Sequence, residues 1–309
     1  MVEDNQIKAQ VSPFAIREGE IKTFDGKDGY VSMNQIVHKI NIGHINEIHF
    51  EILELVNEFE FITSRQLYQM LEIKGIDPKS QDKLNNKLDQ LVKSKILTRY
   101  YFTSDEGKGI YRIYCLEKMG KYLLTSKEID CKWQPSDNTK PVAMIKKRLA
   151  GNQTIIAYLR KVKAFDGYTV KPAITAKVAG KIFKAQGGVK LTKNNKSISF
   201  VFEVIRREAE WEKKLAEKMR LYKDFYENFV PGDSGFSGMP QLILVCEDEK
   251  HMAESFKEIV KNQVEITQIK LYFTTDLRQN KETLEETLVE FKLVDGKYKM
   301  EEVDLKLLG

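Results

Sequence analysis

A chain of 309 residues, 42% hydrophobic and 31% charged, is long enough for two domains that each bury a core, with the balance of an ordinary soluble protein. No run of about 18 apolar residues occurs, so no membrane span is expected, and the polar, mixed-charge start MVEDNQIKAQ argues against a secretory signal. Three scattered cysteines (Cys115, Cys131, Cys246) and four histidines without an HxxxH pair (His38, His44, His49, His251) argue against a disulfide framework and a zinc site. No metal or other cofactor is expected, and a reducing cytoplasm fits best.

The net charge of +5 hides an uneven distribution. Residues 1–139 carry 19 Lys/Arg against 21 Asp/Glu, and residues 194–309 carry 18 against 23. Between them, residues 140–193 carry 13 Lys/Arg and the single acid Asp166. A basic block of that kind points to a polyanionic partner, most often nucleic acid; the plainer alternative is a solvated lysine-rich surface.

Residues 1–43 show little periodicity, and the Gly/Asp turns of FDGKDGY mark an N-terminal arm with at most one hairpin. From Ile45 a helical period sets in, with Ile48, Ile52, Leu55, Val56 and Phe59 on the same face. Thr63 and Gln66 form a capping box for a second helix, whose core face is Leu67, Met70 and Leu71, and Gly75 ends it. Asp77-Pro78 reads as the cap and first turn of a third helix. At 100° per residue Leu84, Leu88 and Leu91 form its buried stripe, while Lys79, Lys83, Asn86 and Gln90 project from the other side. ILTRYYFTS, the turn DEGKG and IYRIYCL then predict a hairpin.

Three short helices followed by a two-stranded wing resemble a winged helix-turn-helix over residues 44–125. In that fold the third helix enters the major groove. Lys79, Lys83 and Lys87 would contact phosphates, Asn86 and Gln90 would read adenine through their amides, and Arg99 and Lys108 would lie along the wing.

The Pro/Ser/Asp/Asn-rich stretch 126–141 reads as an interdomain linker, followed by a helix from about Ala143 to Lys163, interrupted or bent near Gly151. From Tyr168 strands alternate with helices: KSISFVFEVI is a strand, residues 208–229 an amphipathic helix with Trp211, Leu215, Met219, Tyr222 and Tyr226 on one side, and QLILVCE and IKLYFTT are buried strands flanking another helix. The expected whole is an α+β protein of two domains, with a mixed α/β domain over 142–309. Lys146, Lys147, Arg148, Lys171 and Lys177 are the basic residues expected to hold a nucleic-acid backbone, and Phe165, Tyr168 and Phe183 lie among them as stacking candidates or simple core aromatics.

The element order of 142–309, with a carboxylate-bearing strand leading into a helix, resembles the restriction-endonuclease-like core. With the winged helix ahead of it, residues 45–275 resemble the replication-relaxation family of Gram-positive plasmids and conjugative elements, through the T-x-x-Q helix, the wing, F-E-V and the L-I-L-V strand. The resemblance implies DNA-linked work on a mobile element.

A nuclease of this fold needs about two carboxylates and a lysine around one or two Mg²⁺ ions. Glu203 would be one acid, but Ile205 stands where the lysine belongs, Ala173 follows Pro172 where the other acid belongs, and no Asp or Glu occurs between Asp166 and Glu203. Asp166, in an Asp-Gly turn, is a poor substitute. One carboxylate replaces too few hydration waters to hold Mg²⁺ well. Glu203 is therefore expected to end a strand and pair with a base, drawn from Arg206, Arg207 or the lysines of 171–190. GDSG at 232–235 echoes serine proteases without a suitably placed histidine, and is set aside. The reading favoured is a non-enzymatic DNA-binding protein; the alternatives are a Mg²⁺-dependent nuclease using Glu203 and a protein-interaction scaffold, with a homodimer or a mobile-element protein as the further partner.

Overall fold

The computed structural model describes residues 11–105, 107–280, 287–295 and 297–303. The chain divides into two compact units. One comprises Ile16–Arg160 with Tyr168–Lys171; the other comprises 11–15, Lys161–Gly167 and the described residues from Pro172 on.

In chain order the first unit holds β1 (Ile21–Phe24), α1 (Met33–Asn41), α2 (Glu47–Phe59), β2 (Ile62–Thr63), α3 (Ser64–Ile73), α4 (Gln81–Lys93), β3 (Leu97–Ser104), β4 (Gly107–Leu116), α5 (Lys118–Ser126) and α6 (Val142–Lys161). Its sheet runs β1-β3-β4-β2, antiparallel throughout. The capping box at Thr63 forms as the sequence requires, with Gln66 N–H donating to Thr63 Oγ1 and Thr63 N–H to Gln66 Oε1, both at 3.1 Å. Gly75, at φ +73°, closes α3. Leu84, Leu88 and Leu91 are buried, as their spacing predicts.

Three expectations are corrected in this unit, and the N-terminal arm takes a form that its pattern left open. The described part of the N-terminal arm builds no hairpin of its own: β1 adds an edge strand to β3, pairing Ile21 with Thr103 and Phe24 with Tyr100, and Ser32 and Gln35 box the start of α1. The cap of α4 is Ser80, whose hydroxyl accepts from Lys83 N–H at 3.2 Å, so Lys79 lies outside the helix at φ +70° and Pro78 is buried. Residues 126–141 do not divide the two compact units but lie within the first. Asn138 donates its amide to Leu116 O at 2.8 Å and accepts from Trp133 Nε1 at 3.1 Å, so the segment packs where its own polar groups are satisfied. Finally α6 runs unbroken through Gly151 and belongs to this unit up to Arg160. Gln66 donates to Leu149 O at 2.8 Å, and Asn152 donates to Phe59 O at 3.2 Å and Phe61 O at 2.8 Å, carbonyls left open where the chain turns after α2.

The second unit contains β5 (Phe165–Thr169), β6 (Ala173–Ala176), β7 (Lys181–Lys184), β8 (Gly187–Lys193), β9 (Lys196–Val204), α7 (Trp211–Glu227), β10 (Gln241–Cys246), α8 (Glu249–Lys261), β11 (Leu271–Thr275), β12 (Val289–Val294) and β13 (Lys297–Glu302). Strand β5 reaches into the stretch assigned to the first unit. The seven-stranded sheet runs β13-β12-β11-β10-β9-β8-β5, parallel for β9-β10-β11 and antiparallel at β8-β9, β11-β12 and β12-β13. Phe202, Leu242, Leu244 and Phe273 are all buried on the parallel strands, as strands covered on both faces require. Leu215, Met219, Tyr222 and Tyr226 of α7 join the core with Met252 and Ile259 of α8. The result is an α+β protein. Among the described residues no helix is long and apolar enough to cross a membrane.

Candidate nucleic-acid interface

The side chains predicted to meet DNA separate, once placed, into a displayed group and an engaged group. On α4, Lys83 and Asn86 are exposed away from the leucine stripe, and Lys87 is half-buried on its flank. Lys79 is exposed but tied to Asp77 at 3.0 Å. Gln90 is exposed, yet its Oε1 lies 3.0 Å from His49 Nε2, so one of the two amide atoms needed to read adenine is occupied. Burial, opposed by the bond to Gln90, holds His49 below the usual histidine range. Lys108 sits opposite Thr103 in the β3-β4 ladder; its side chain lies outside the described residues.

The engaged group is the larger, and its members are held by partners within the protein. Arg99 is only 13% exposed and binds Asp25 at 2.9 Å as well as Asp89. Lys146 is 2% exposed, ion-paired to Glu20 at 2.5 Å and 5.2 Å above the Phe102 ring. Arg148 is buried 3.8 Å from Glu60, and the same carboxylate takes Lys171 and, at 3.9 Å, Lys140. Burial, opposed by Glu60, pulls the Lys171 ammonium below its ordinary value. Lys147 is half-buried. In the second unit Lys177 pairs with Asp233 at 2.6 Å and donates to Asn228 O at 2.9 Å. A basic block in sequence is therefore not a basic surface: much of its charge closes ion pairs inside its own unit. The aromatics follow the same rule, since Tyr168 stacks on Phe59 at 6.0 Å and Phe183 packs edge-on against Tyr222 at 4.9 Å.

Glu203 lies at the end of β9, 7% exposed. Tyr222 of α7 donates its hydroxyl to Oε2 at 2.9 Å, and Lys218 Nζ stands 3.4 Å from the same oxygen. Burial, then the Glu203 charge, pushes the Tyr222 phenol well above its ordinary value. Lys218 also donates to Lys184 O at 2.9 Å and covers the Phe183 ring at 4.7 Å. The base that pairs with Glu203 is thus Lys218, one α7 turn before Tyr222, and not Arg206, Arg207 or a lysine of 171–190. Sequence spacing missed it because the lysine arrives from the following helix; the signal available was Lys218 and Tyr222 standing four apart on one helical face. Ile205, in the missing lysine's place, is buried in the core, and Ala173 is exposed on β6 opposite Lys184. Asp166 is exposed and engaged by Lys190 at 2.7 Å and Thr192 at 2.8 Å.

The two arginines after Glu203 serve the carboxyl ends of the parallel strands. Arg206 is fully buried and grips Asp276 through two bonds of 2.8 and 2.9 Å, and Ser12 Oγ donates to the same carboxylate. Arg207 bridges Glu247, Asp248 and Glu254 at 3.3, 2.6 and 3.1 Å. His251 lies in the same corner, its ring 4.8 Å from Trp211. Burial first, then Arg207 and Arg206, lower the imidazole to about 3. Ser234 of the GDSG stretch accepts the Thr175 N–H at 3.2 Å. Among the described residues no group of three His, Cys, Asp or Glu side chains is placed to hold a metal ion.

No family model and no curated protein matches this chain. Among solved structures, the restriction endonuclease FokI is similar with a TM-score of 0.27 and 10% identity, over 75% of this chain and 43% of that one, a likeness too slight to assign a fold. The chain spans less than half the length of that protein.

Proposed function

We propose that this chain is a DNA-binding protein whose first unit is a winged helix-turn-helix, and that it does not itself cleave DNA. The observation that carries the reading is the outer face of α4, which displays Lys83 and Asn86, with Lys87 at its edge, over a buried leucine stripe. The order α2, β2, α3, α4, β3, β4, with Ile62 and Thr63 of β2 paired to β4, supports the winged-helix assignment. In that arrangement Lys83 and Lys87 neutralise phosphates and the Asn86 amide reads a base edge. The second unit supports, by its strand and helix order, a restriction-endonuclease-like core in which Glu203 is neutralised by Lys218. The resemblance to the replication-relaxation family adds the setting: replication, maintenance or transfer of a mobile element, with a second copy or another element-encoded protein as partner.

Binding of a labelled duplex library, followed over a salt series, tests the reading. Affinity that falls steeply with salt supports it, and failure to bind any duplex at low salt removes it. A metal-dependent nuclease is the second reading, favoured by the Glu203–Lys218 pair, which restores from α7 the lysine missing at Ile205. Supercoiled and single-stranded DNA incubated with Mg²⁺ or Mn²⁺ separates the two. Cleavage abolished by Glu203→Gln supports the second reading; no cleavage by the native protein supports the first.

A further inference from the structure

Strands β6 and β7 pair with each other as a ribbon separate from the seven-stranded sheet, with Thr175 opposite Ile182 and Ala173 opposite Lys184. Side chains alternate across such a ribbon. Ile174, Ala176 and Phe183 turn to the core of the unit. The opposite face and the turn carry Val178 and Ile182, 82% and 73% exposed, the two most exposed aliphatic side chains among the described residues.

This projection is held firmly. At the turn the Val178 and Ala179 N–H groups donate to the Asp224 carboxylate at 3.1 and 2.7 Å. Lys177 reaches Asp233 and Asn228 O, Thr175 N–H reaches Ser234 Oγ, and Lys218 donates to Lys184 O. The nearby acids are thereby occupied by the ribbon's backbone and by Lys177. Lys181 and Lys184 are exposed and make no ion pair among the described residues. A fixed ribbon thus presents Ile182 and Lys184 on its outer face and Val178 at its turn, with Lys181 exposed at the turn end of the other face, both cations unspent and the binding conformation already formed.

We propose that this ribbon is a second DNA-contacting element, in which Lys181 and Lys184 take phosphates and Val178 and Ile182 wedge against a base step and bend the duplex. The proposal rests on the DNA-binding reading but concerns the other unit. A two-stranded ribbon fits a DNA groove, and apolar wedges between base steps kink a duplex by roughly 20–90°. An anionic lipid surface also attracts lysines beside aliphatic groups. Stable attachment there takes two lipid chains or one with a polybasic patch, more than two side chains supply, whereas one base step accepts one or two wedges.

The test uses the full chain with a short duplex carrying a donor and an acceptor fluorophore at its ends. Native protein should raise energy transfer on binding. Val178→Ser/Ile182→Ser should bind within about threefold of native, because phosphate contacts carry most of the affinity, and leave transfer near that of free duplex. Lys181→Ala/Lys184→Ala should lower the salt slope by about two. Both pairs are exposed, so melting temperatures should match the native protein and exclude misfolding. Equal bending by the serine variant overturns the proposal, as does vesicle binding (phosphatidylserine/phosphatidylcholine) that these substitutions weaken while DNA bending is unchanged. A native protein that binds duplex without bending it removes this proposal alone; one that binds no duplex removes the DNA-binding reading as well.

Discussion

Replacing Lys83 and Lys87 together by alanine separates displayed cations from engaged ones. Lys83 is exposed on the outer face of α4 and Lys87 half-buried at its edge, and no ion pair ties either of them among the described residues. If each neutralises one phosphate, the pair contributes about 1.8 to the slope of log affinity against log salt, at about 0.9 per contact on duplex DNA. Over a fourfold rise in salt, from about 50 to 200 mM, that is a factor of about twelve in affinity that the native protein loses and the variant does not. Fluorescence anisotropy of a labelled duplex across that range measures it. Asn86→Ala should behave differently, leaving the slope intact and relaxing discrimination at one base pair by about 1–3 kcal/mol. Lys79→Ala should change little, since Lys79 precedes the helix and is bonded to Asp77. A double variant with the native slope refutes the recognition-helix assignment, whatever DNA the protein binds.

Lys146→Met should leave the salt slope unchanged but lower unfolding free energy by about 3–5 kcal/mol, because it strands Glu20 as a buried charge, and urea unfolding read by fluorescence checks it. For His251 the folded value of about 3 lies below the ordinary 6.5, so the fold favours the neutral ring. Its stabilisation is complete above about pH 6.5 and is lost as pH falls toward 3, amounting to about 2 kcal/mol between pH 7 and 5, and His251→Asn should flatten that part of the stability profile. Lys218→Met and Glu203→Gln should each destabilise, with the double variant costing less than their sum because the two changes remove one interaction; thermal melts of all four proteins give the coupling, and strict additivity argues against the pair.

Much of the first unit was legible in the sequence because its signals are local. The Thr63 capping box, the leucine stripe of α4 and the hairpin after it depend on residues within a turn or two of each other, and all stand where the pattern put them. The parallel strands and the amphipathic α7 were legible for the same reason. The helix after 126–141 was legible, but the unit to which it and that stretch belong was not, because their polar groups are satisfied by carbonyls far away in sequence, as Asn138 is by Leu116 and Asn152 by Phe59. No local pattern reports such a partner.

The basic block shows the same division at the level of function. The sequence by itself determined that 13 cations and one acid lie between residues 140 and 193, and that Glu203 lacks a lysine two residues on. Only the tertiary structure decided which cations remain to meet a partner. Glu20, Glu60 and Asp233, all outside the block, neutralise Lys146, Arg148, Lys171 and Lys177, while Lys218 reaches Glu203 from the next helix. Charge is a property of composition, but its availability depends on distances of a few ångströms, because attraction falls with separation and water screens what is not buried. Those distances are set by the fold.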